Sequence, residues 1–171
     1  MVIWIIGLSA AGKSTLANII VEKIRKKGHR VCLLDGDLIR DLFKNDVDYS
    51  VNGRRRNAER ISTISKFLGD QEIPVVAAVL SIFPDWQKWN RKNIKNYFQI
   101  YIKASMDKLE ARETKGLYKA AKKGQINNVV GVDINFPEPH QSDYIIDNNT
   151  DDLNFDLIAD KILNLPFFHN L

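Results

Sequence analysis

The chain has 171 residues, 44% hydrophobic and 27% charged, with a formal net charge of +4. That composition suits one soluble domain burying about 70% of its unfolded surface, and the single cysteine excludes a disulfide scaffold. No apolar run reaches the ~20 residues of a membrane span. The first strand begins at residue 2 and leaves no room for a signal peptide, so the expected compartment is the cytoplasm, with no membrane partner.

Val2 to Ile6 is a short β-branched run that reads as a buried parallel strand. Gly7-Leu8-Ser9-Ala10-Ala11-Gly12-Lys13-Ser14-Thr15 follows and carries the pattern G-x-x-x-x-G-K-S. Its glycines allow a tight turn, so that the intervening amides form an anion nest at a helix N-terminus. Lys13 can then reach β- and γ-phosphates, and the Ser14 hydroxyl can ligate Mg²⁺. A glycine-rich turn that binds nothing is the plain alternative. The strand in front, and an amphipathic helix behind with Leu16, Ile19, Ile20 and Ile24 on one face, favour phosphate binding. This pattern points to a nucleoside triphosphate such as ATP without naming the second substrate.

Gly28 ends that helix, and Val31 to Leu34 forms a second strand in which Cys32 reads as an inert core thiol. Asp35-Gly36-Asp37 falls at its C-terminal edge, where open α/β sheets bind ligands. Residues 38–44 read as a short helix and 45–53 as a loop. A long helix is expected from Arg54 to about Gln71, with Ile61, Ile64, Phe67 and Leu68 on one face. Arg25-Lys26-Lys27 reads as a solvated helix end and Arg54-Arg55-Arg56 as a site for small polyanions. No aromatic-interleaved module accompanies them, so no nucleic-acid partner is expected.

Ile73 to Leu80 reads as a buried strand with Pro74 at its start. Pro84 opens a helix to about Asn96, with Trp86 and Trp89 packed on the sheet. Phe98 to Lys103 is a fourth strand, Met106 to Glu113 a helix, and the basic, polar stretch 114–128 resembles a lid. Gly131 to Gln141 reads as an extended loop, Tyr144 to Ile146 as a fifth strand, and Leu153 to Leu165 as an amphipathic helix. The alternation predicts an α/β three-layer sandwich around a parallel five-stranded sheet, one domain over residues 1–171.

A GTPase would need a guanine-reading Asn-Lys-x-Asp segment, which is absent. The run Val75–Leu80 ends in Ser81 instead of a Walker-B acid, which leaves Asp35 and Asp37 to organise Mg²⁺. A small P-loop chain with acids after strand two, an arginine-bearing helix and a basic lid suggests a kinase for small metabolites.

The residues resemble the adenylylsulfate kinases. The resemblance rests on Trp4 through Thr15, on Leu33-Leu34-Asp35-Gly36-Asp37 with Arg40, and on the R-x-x-N-x-x-R spacing of Arg54, Asn57 and Arg60. It continues through Glu110 to Lys119, which contains the K-G-L-Y segment, and through Gly131-Val132-Asp133 with Glu138-Pro139. It implies transfer of the ATP γ-phosphoryl group to a nucleotide's ribose 3′-hydroxyl. By the same resemblance, Asp37 would orient or deprotonate the hydroxyl, and Asp35 would help Ser14 place Mg²⁺. Arg40, Arg54 and Asn57 would hold the acceptor's charged 5′ group, Tyr49 would face its base, and Leu80 and Ser81 would line its pocket. Lys115 would belong to the lid, Arg112 would lie near ATP, and a homodimer becomes plausible. The plainer alternatives are that Arg40 and Arg54 are helix-surface charges and that Asp35 only caps a helix.

The departures from the family concern the acceptor. Val129 stands where an aromatic before T-G-I-D typically stacks on the adenine. The I-S-P stretch becomes Leu80-Ser81-Ile82-Phe83-Pro84, D-G-D-N becomes Asp35-Gly36-Asp37-Leu38, and the family's usual segment before strand one is missing. Base stacking on an aromatic is worth about 1–3 kcal/mol in single-strand binders. Phosphate-handling positions are kept while base-contacting ones change, which suggests the same reaction on a different nucleotide. The resemblance extends to the family's branch that phosphorylates cytidine diphosphoramidate for the phosphoramidate decoration of bacterial capsules. Adenylylsulfate is the alternative acceptor, and a nucleotide-sensing protein with a dead site is the alternative class. Tyr49, Phe83, Trp86 and Phe136 are the aromatics that could replace the missing platform.

Overall fold

Five short runs rich in β-branched and aromatic residues pair into one parallel sheet. They are β1 (Val2–Ile6), β2 (Cys32–Asp35), β3 (Val75–Val79), β4 (Tyr97–Lys103) and β5 (Tyr144–Asp147) in the order β2-β3-β1-β4-β5. The computed structural model describes residues 1–169, so the last two positions of the expected 1–171 domain lie outside the described residues. β1 is central, hydrogen-bonded to β3 on one side and β4 on the other, and all five of its residues are buried. This explains its unbroken apolar run, because both faces of a parallel sheet are covered by helices.

Alternate residues of each strand feed two layers of core. Ile3, Ile5, Val76, Ala78, Ile100 and Ile102 pack toward Leu16, Ile20 and Ile24 of α1 (Lys13–Lys26) and Ile162 of α7 (Phe155–Leu163). Val2, Trp4, Ile6, Ala77 and Val79 pack on the opposite face with Ile39 of α2 (Gly36–Leu42) and Ile61 of α3 (Val51–Asp70). The remaining helices are α4 (Pro84–Asn93), α5 (Met106–Arg112) and α6 (Leu117–Lys122). The three-layer sandwich expected from the alternation of elements is the fold observed. Among the described residues no helix is long and apolar enough to cross a membrane.

Several boundaries differ from the sequence expectation. α3 begins at Val51, three residues before Arg54, because Ser50 caps it by accepting from the Gly53 amide at 3.2 Å. Phe67 was expected on the buried face of that helix but is 63% exposed, while Ser62 and Ser65 are buried. Ile73 precedes β3 and is partly exposed. α4 stops at Asn93, short of Asn96, and α6 forms inside the stretch 114–128, which the sequence marked only as polar. Trp86 and Trp89 form an edge-on pair 5.3 Å apart, and each packs on a buried cluster.

Ile5 is fully buried between two neighbouring strands. Ile5→Ala should therefore destabilise the protein by about 2–5 kcal/mol, read as a lower denaturation midpoint at unchanged slope.

Candidate active site

Every strand delivers its C-terminal end to the same edge of the sheet, and the loops there enclose a cavity of about 850 Å³. Ser9, Ala10, Gly12, Lys13, Ser14 and Thr15 line it from the loop after β1. Gly7, Leu8 and Ala11 do not line it, and Gly7 and Ala11 are buried. Gly12 takes a left-handed φ of 98° as it caps α1, and a Cβ there would lie 2.5 Å from the ring of Phe155. Glycine is required at this position by conformation and by space alike. At Gly7 a Cβ would lie 2.8 Å from the Ile102 carbonyl, so β1 can approach β4 only without a side chain.

The loop is tied down from three directions. Lys13 Nζ donates to the Leu8 carbonyl at 2.7 Å, across the turn. The Tyr118 hydroxyl, from α6, donates to the Ser9 carbonyl at 3.0 Å. Asn148 Nδ2, just beyond β5, donates to the Ala11 carbonyl at 3.0 Å. Tyr118 and Asn148 are both buried, so these bonds are shielded from water. Burial pushes the Tyr118 phenol up to about 12, with Glu113 adding to the shift, and this keeps it a donor. The K-G-L-Y segment thus acquires a physical meaning: Gly116 turns the chain at φ 73°, Glu113 accepts from the Lys115 and Leu117 amides at the start of α6, and Tyr118 holds the phosphate loop.

Burial depresses Lys13 to about 8, against the opposing pull of Asp35 and Asp37. Beside it, Ser14 Oγ donates to Asp35 Oδ2 at 2.9 Å, while Asp35 Oδ1 accepts from the Asp37 amide at 2.9 Å. Asp35 therefore caps α2, as the plainer alternative had it, and also accepts from the P-loop hydroxyl. Asp37 is exposed at the cavity rim, with the Tyr49 hydroxyl 3.5 Å from its Oδ1.

The opposite part of the cavity is cationic and aromatic. Arg40 and Arg54 place their guanidinium carbons 4.4 and 5.4 Å from the Tyr49 ring centroid. Arg40 Nη1 donates to the Val47 and Asp48 carbonyls at 3.0 and 2.8 Å. Arg54 Nε donates to the Tyr49 carbonyl at 2.8 Å and Nη2 to that of Asn128 at 2.7 Å. Arg40 is only 4% exposed, so its reading as a helix-surface charge is overturned, and Arg54 is also partly buried. Desolvation lowers the Arg54 pKa, and repulsion from Arg40 adds to the effect. Asp37 and Asp133 oppose these effects, so the two guanidinium groups lie in a mixed field that is able to receive a further anion. Asn57 Nδ2 donates to the Gly36 carbonyl at 3.0 Å, and its Oδ1 is buried without a partner. In that orientation the Oδ1 can accept a hydrogen bond and the second Nδ2 hydrogen can donate one.

Leu80, Ser81, Lys115 and Val129 also line the cavity. Val129 is 3% exposed and belongs to the hydrophobic core. Its amide is held at 2.6 Å by Asp133, which also accepts from the Asn128 amide. Of the four aromatics considered as replacement platforms, Tyr49 and Phe83 line the cavity, and Trp86 and Phe136 do not. Arg112 donates to the Asn148 and Thr150 carbonyls at 2.8 Å each, between the main cavity and a recess of about 240 Å³ lined by Gly12, Asn148 and Phe155. The arginine run 54–56 splits: Arg54 reaches the cavity, Arg55 pairs with Asp85 at 2.6 Å, and Arg56 is exposed. Sequence reasoning missed Asn148 and Phe155, which carry no local pattern. It quoted Tyr118 within a motif without assigning the loop contact.

A cavity with a phosphate cradle at one end and paired arginines at the other belongs to a P-loop kinase, which aligns a triphosphate with a second substrate. Residues 1–147 match the family model described as Adenylylsulphate kinase, and the chain belongs to that family. It is a phosphotransferase with an alcohol group as acceptor. It is 38% identical over 148 residues to the cytidine diphosphoramidate kinase of Campylobacter jejuni, covering 86% of each chain. Against the adenylyl-sulfate kinase of Prochlorococcus marinus it is 37% identical over 155 residues, covering 90% of this chain and 77% of that protein. The structure of the Mycobacterium tuberculosis APS kinase in complex with AMPPNP and APS superposes with a TM-score of 0.86 at 28% identity, covering 95% of this chain and 94% of that one.

The depressed Lys13 gives a pH test. Anion binding favours the ammonium, so ATP affinity should be level well below pH 8 and fall above it, by up to about tenfold per unit. Titration calorimetry from pH 7 to 9.5 checks this. Lys13→Arg should flatten the profile, because a guanidinium stays charged throughout.

Proposed function

We propose that the protein transfers the γ-phosphoryl group of ATP to the ribose 3′-hydroxyl of a small nucleotide conjugate, with cytidine diphosphoramidate as the preferred acceptor. In this reading the loop 7–15 and Lys13 bind the phosphates of ATP, and Arg112 lies beside the nucleoside. Asp37 orients the acceptor hydroxyl and takes its proton as the new O–P bond forms and the bond to the ADP oxygen breaks. Arg40, Arg54 and Asn57 receive the acceptor's charged group, Tyr49, Leu80, Ser81 and Val129 its nucleoside, and Lys115 and the rest of the segment 114–128 act as a lid. A loose phosphoryl-transfer transition state needs alignment and charge neutralisation more than covalent help, and these residue types supply both.

The residues fit Mg²⁺. The Ser14 hydroxyl and Asp35 carboxylate meet at 2.9 Å beside the phosphate loop, and no cluster of three or more His, Cys, Asp or Glu forms a cage among the described residues. Mg²⁺ commonly takes one or two protein oxygens and fills the rest with phosphate and water. When bound it would neutralise charge on the transferring phosphates. Ser14 and Asp35 would hold it.

The observation that carries the choice of acceptor is the aliphatic, fully packed Val129 in the cavity wall, with Tyr49 held against the arginines. A smaller base needs less stacking surface. Asn57 Oδ1 is buried without a partner and could accept an N–H or O–H from either acceptor. The adenylylsulfate reading is favoured by the superposition on the M. tuberculosis enzyme holding APS.

ADP release measured with equal concentrations of the two acceptors should show kcat/KM about tenfold or more higher for the cytidine compound, the scale of one stacking contact. Preference for adenylylsulfate would overturn the acceptor assignment, and tight ATP binding with no ADP from either would favour a sensor. Asp37→Asn should lower kcat by about 10²–10⁴-fold with the KM for ATP unchanged; full turnover would remove Asp37 from its role.

A further inference from the structure

β3 lies between β2 and β1, with Ala78 opposite Asp35 and Val79 opposite Ile6. The loop that follows β3 therefore emerges between Asp35 and the phosphate loop. Ser81, in that loop, adopts a left-handed φ of 54°, which non-glycine residues rarely take and which surrounding contacts must enforce. Two buried side chains do so. Gln87 Nε2, from α4, donates to the Ser81 carbonyl at 2.8 Å, and Trp4 Nε1, from β1, donates to the Ser81 hydroxyl at 3.3 Å. Ser81 itself is partly exposed and lines the cavity.

The Trp4 bond has a direction. An indole N–H can only donate, so Ser81 Oγ accepts from it and keeps its own proton for another partner. Among the described residues no acceptor takes that proton. A serine hydroxyl ordinarily presents either its proton or a lone pair to a ligand. With one lone pair engaged from the sheet, the proton is left to the open side. The layers decide which substrate it meets. Trp4 packs with Ile39 of α2 and Ile61 of α3, whereas α1, behind the phosphate loop, packs on the other face of the sheet. The hydroxyl that Trp4 holds thus lies on the α3 side, in the wall that also carries Asn57 and Ile61.

We propose that Trp4 is a positioning residue for phosphoryl transfer: its indole N–H fixes the Ser81 hydroxyl as a hydrogen-bond donor to a charged oxygen of the second substrate. The proposal deepens the reading of the protein as a nucleotide kinase and rests on it. Ser81 forms no covalent bond in this role and gives up no proton. A charged oxygen suits a donor in the same cavity as Arg40 and Arg54, because hydrogen bonds to ionised acceptors are the stronger kind. The central strand thereby reaches the second substrate through one intervening hydroxyl.

The test is a double-mutant cycle on Ser81→Ala and Trp4→Phe, the second of which keeps an aromatic ring and removes the N–H. KM is measured for ATP and for whichever of cytidine diphosphoramidate and adenylylsulfate is phosphorylated. Ser81→Ala should raise the acceptor KM about tenfold, the scale of a hydrogen bond to a charged group, with the KM for ATP held. Trp4→Phe should raise it about threefold with Ser81 present and leave it unchanged in the Ser81→Ala background. Equal rises in both backgrounds, or an unchanged acceptor KM in Ser81→Ala, would overturn the proposal. The assigned Trp4 indole ¹H–¹⁵N resonance reads the same bond without altering the core. It should move in Ser81→Ala, and in the unmodified protein on addition of CMP. A resonance indifferent to either would overturn the proposal, even where neither acceptor turns over and the kinase reading falls on its own.

Discussion

The left-handed turn at Gly12, closed against the Phe155 ring and tied to the rest of the molecule through carbonyls, is the constraint on which the site depends. An anion nest works only if successive amides are held convergent, and an isolated loop would lose that arrangement to backbone entropy. Here the loop carbonyls are anchored by Lys13, Tyr118 and Asn148, contributed by α1, α6 and the end of β5. Segments more than a hundred residues apart in the chain thus hold one turn. The parallel sheet makes this possible, because it sends every loop that matters to a single edge.

The arginine-bearing part of the cavity is built on a different principle. Tyr49 sits on a loop whose carbonyls are bonded by Arg40 and Arg54, and Asp46 at the loop's start is gripped by both terminal nitrogens of Arg60 at 2.6 and 2.5 Å. The arginines both shape the loop and charge the cavity. Desolvation and repulsion from Arg40 lower the Arg54 pKa against the pull of Asp37 and Asp133, and a bound anion would relieve that repulsion. The remaining wall of the cavity is apolar and aromatic, with Val129 and Phe83 both buried in it.

Much of this was legible in the sequence because it is local. The P-loop needs its glycines and lysine at fixed spacing, and the strands announce themselves as apolar runs because both faces are covered. Asp35 and Asp37 were found from their place after the second strand, Arg40, Arg54 and Asn57 through the resemblance to the family's motifs, and all of them line one cavity. What escaped was set by tertiary contact. Asn148 has no pattern around it, yet its side chain bonds the Ala11 carbonyl 137 residues away. Phe67 was placed on the apolar face by its period but is exposed, while Ile64 and Leu68 pack on the core and Ser62 and Ser65 are buried. The early start of α3 came from Ser50, a cap hidden in a run of turn-forming residues. Arg40 could not be told from a surface charge until the loop it holds was seen.

The central claim is that the phosphate cradle and the arginine-flanked cavity together carry a phosphoryl group onto a nucleotide's ribose hydroxyl. ³¹P NMR of the reaction of ATP and Mg²⁺ with cytidine diphosphoramidate tests it most directly. The predicted spectrum gains ADP and, in equal amount, a phosphomonoester coupled to the ribose 3′ proton, with the diphosphoramidate resonances retained. ADP accompanied only by inorganic phosphate, or a new phosphoanhydride in place of the monoester, would contradict the claim.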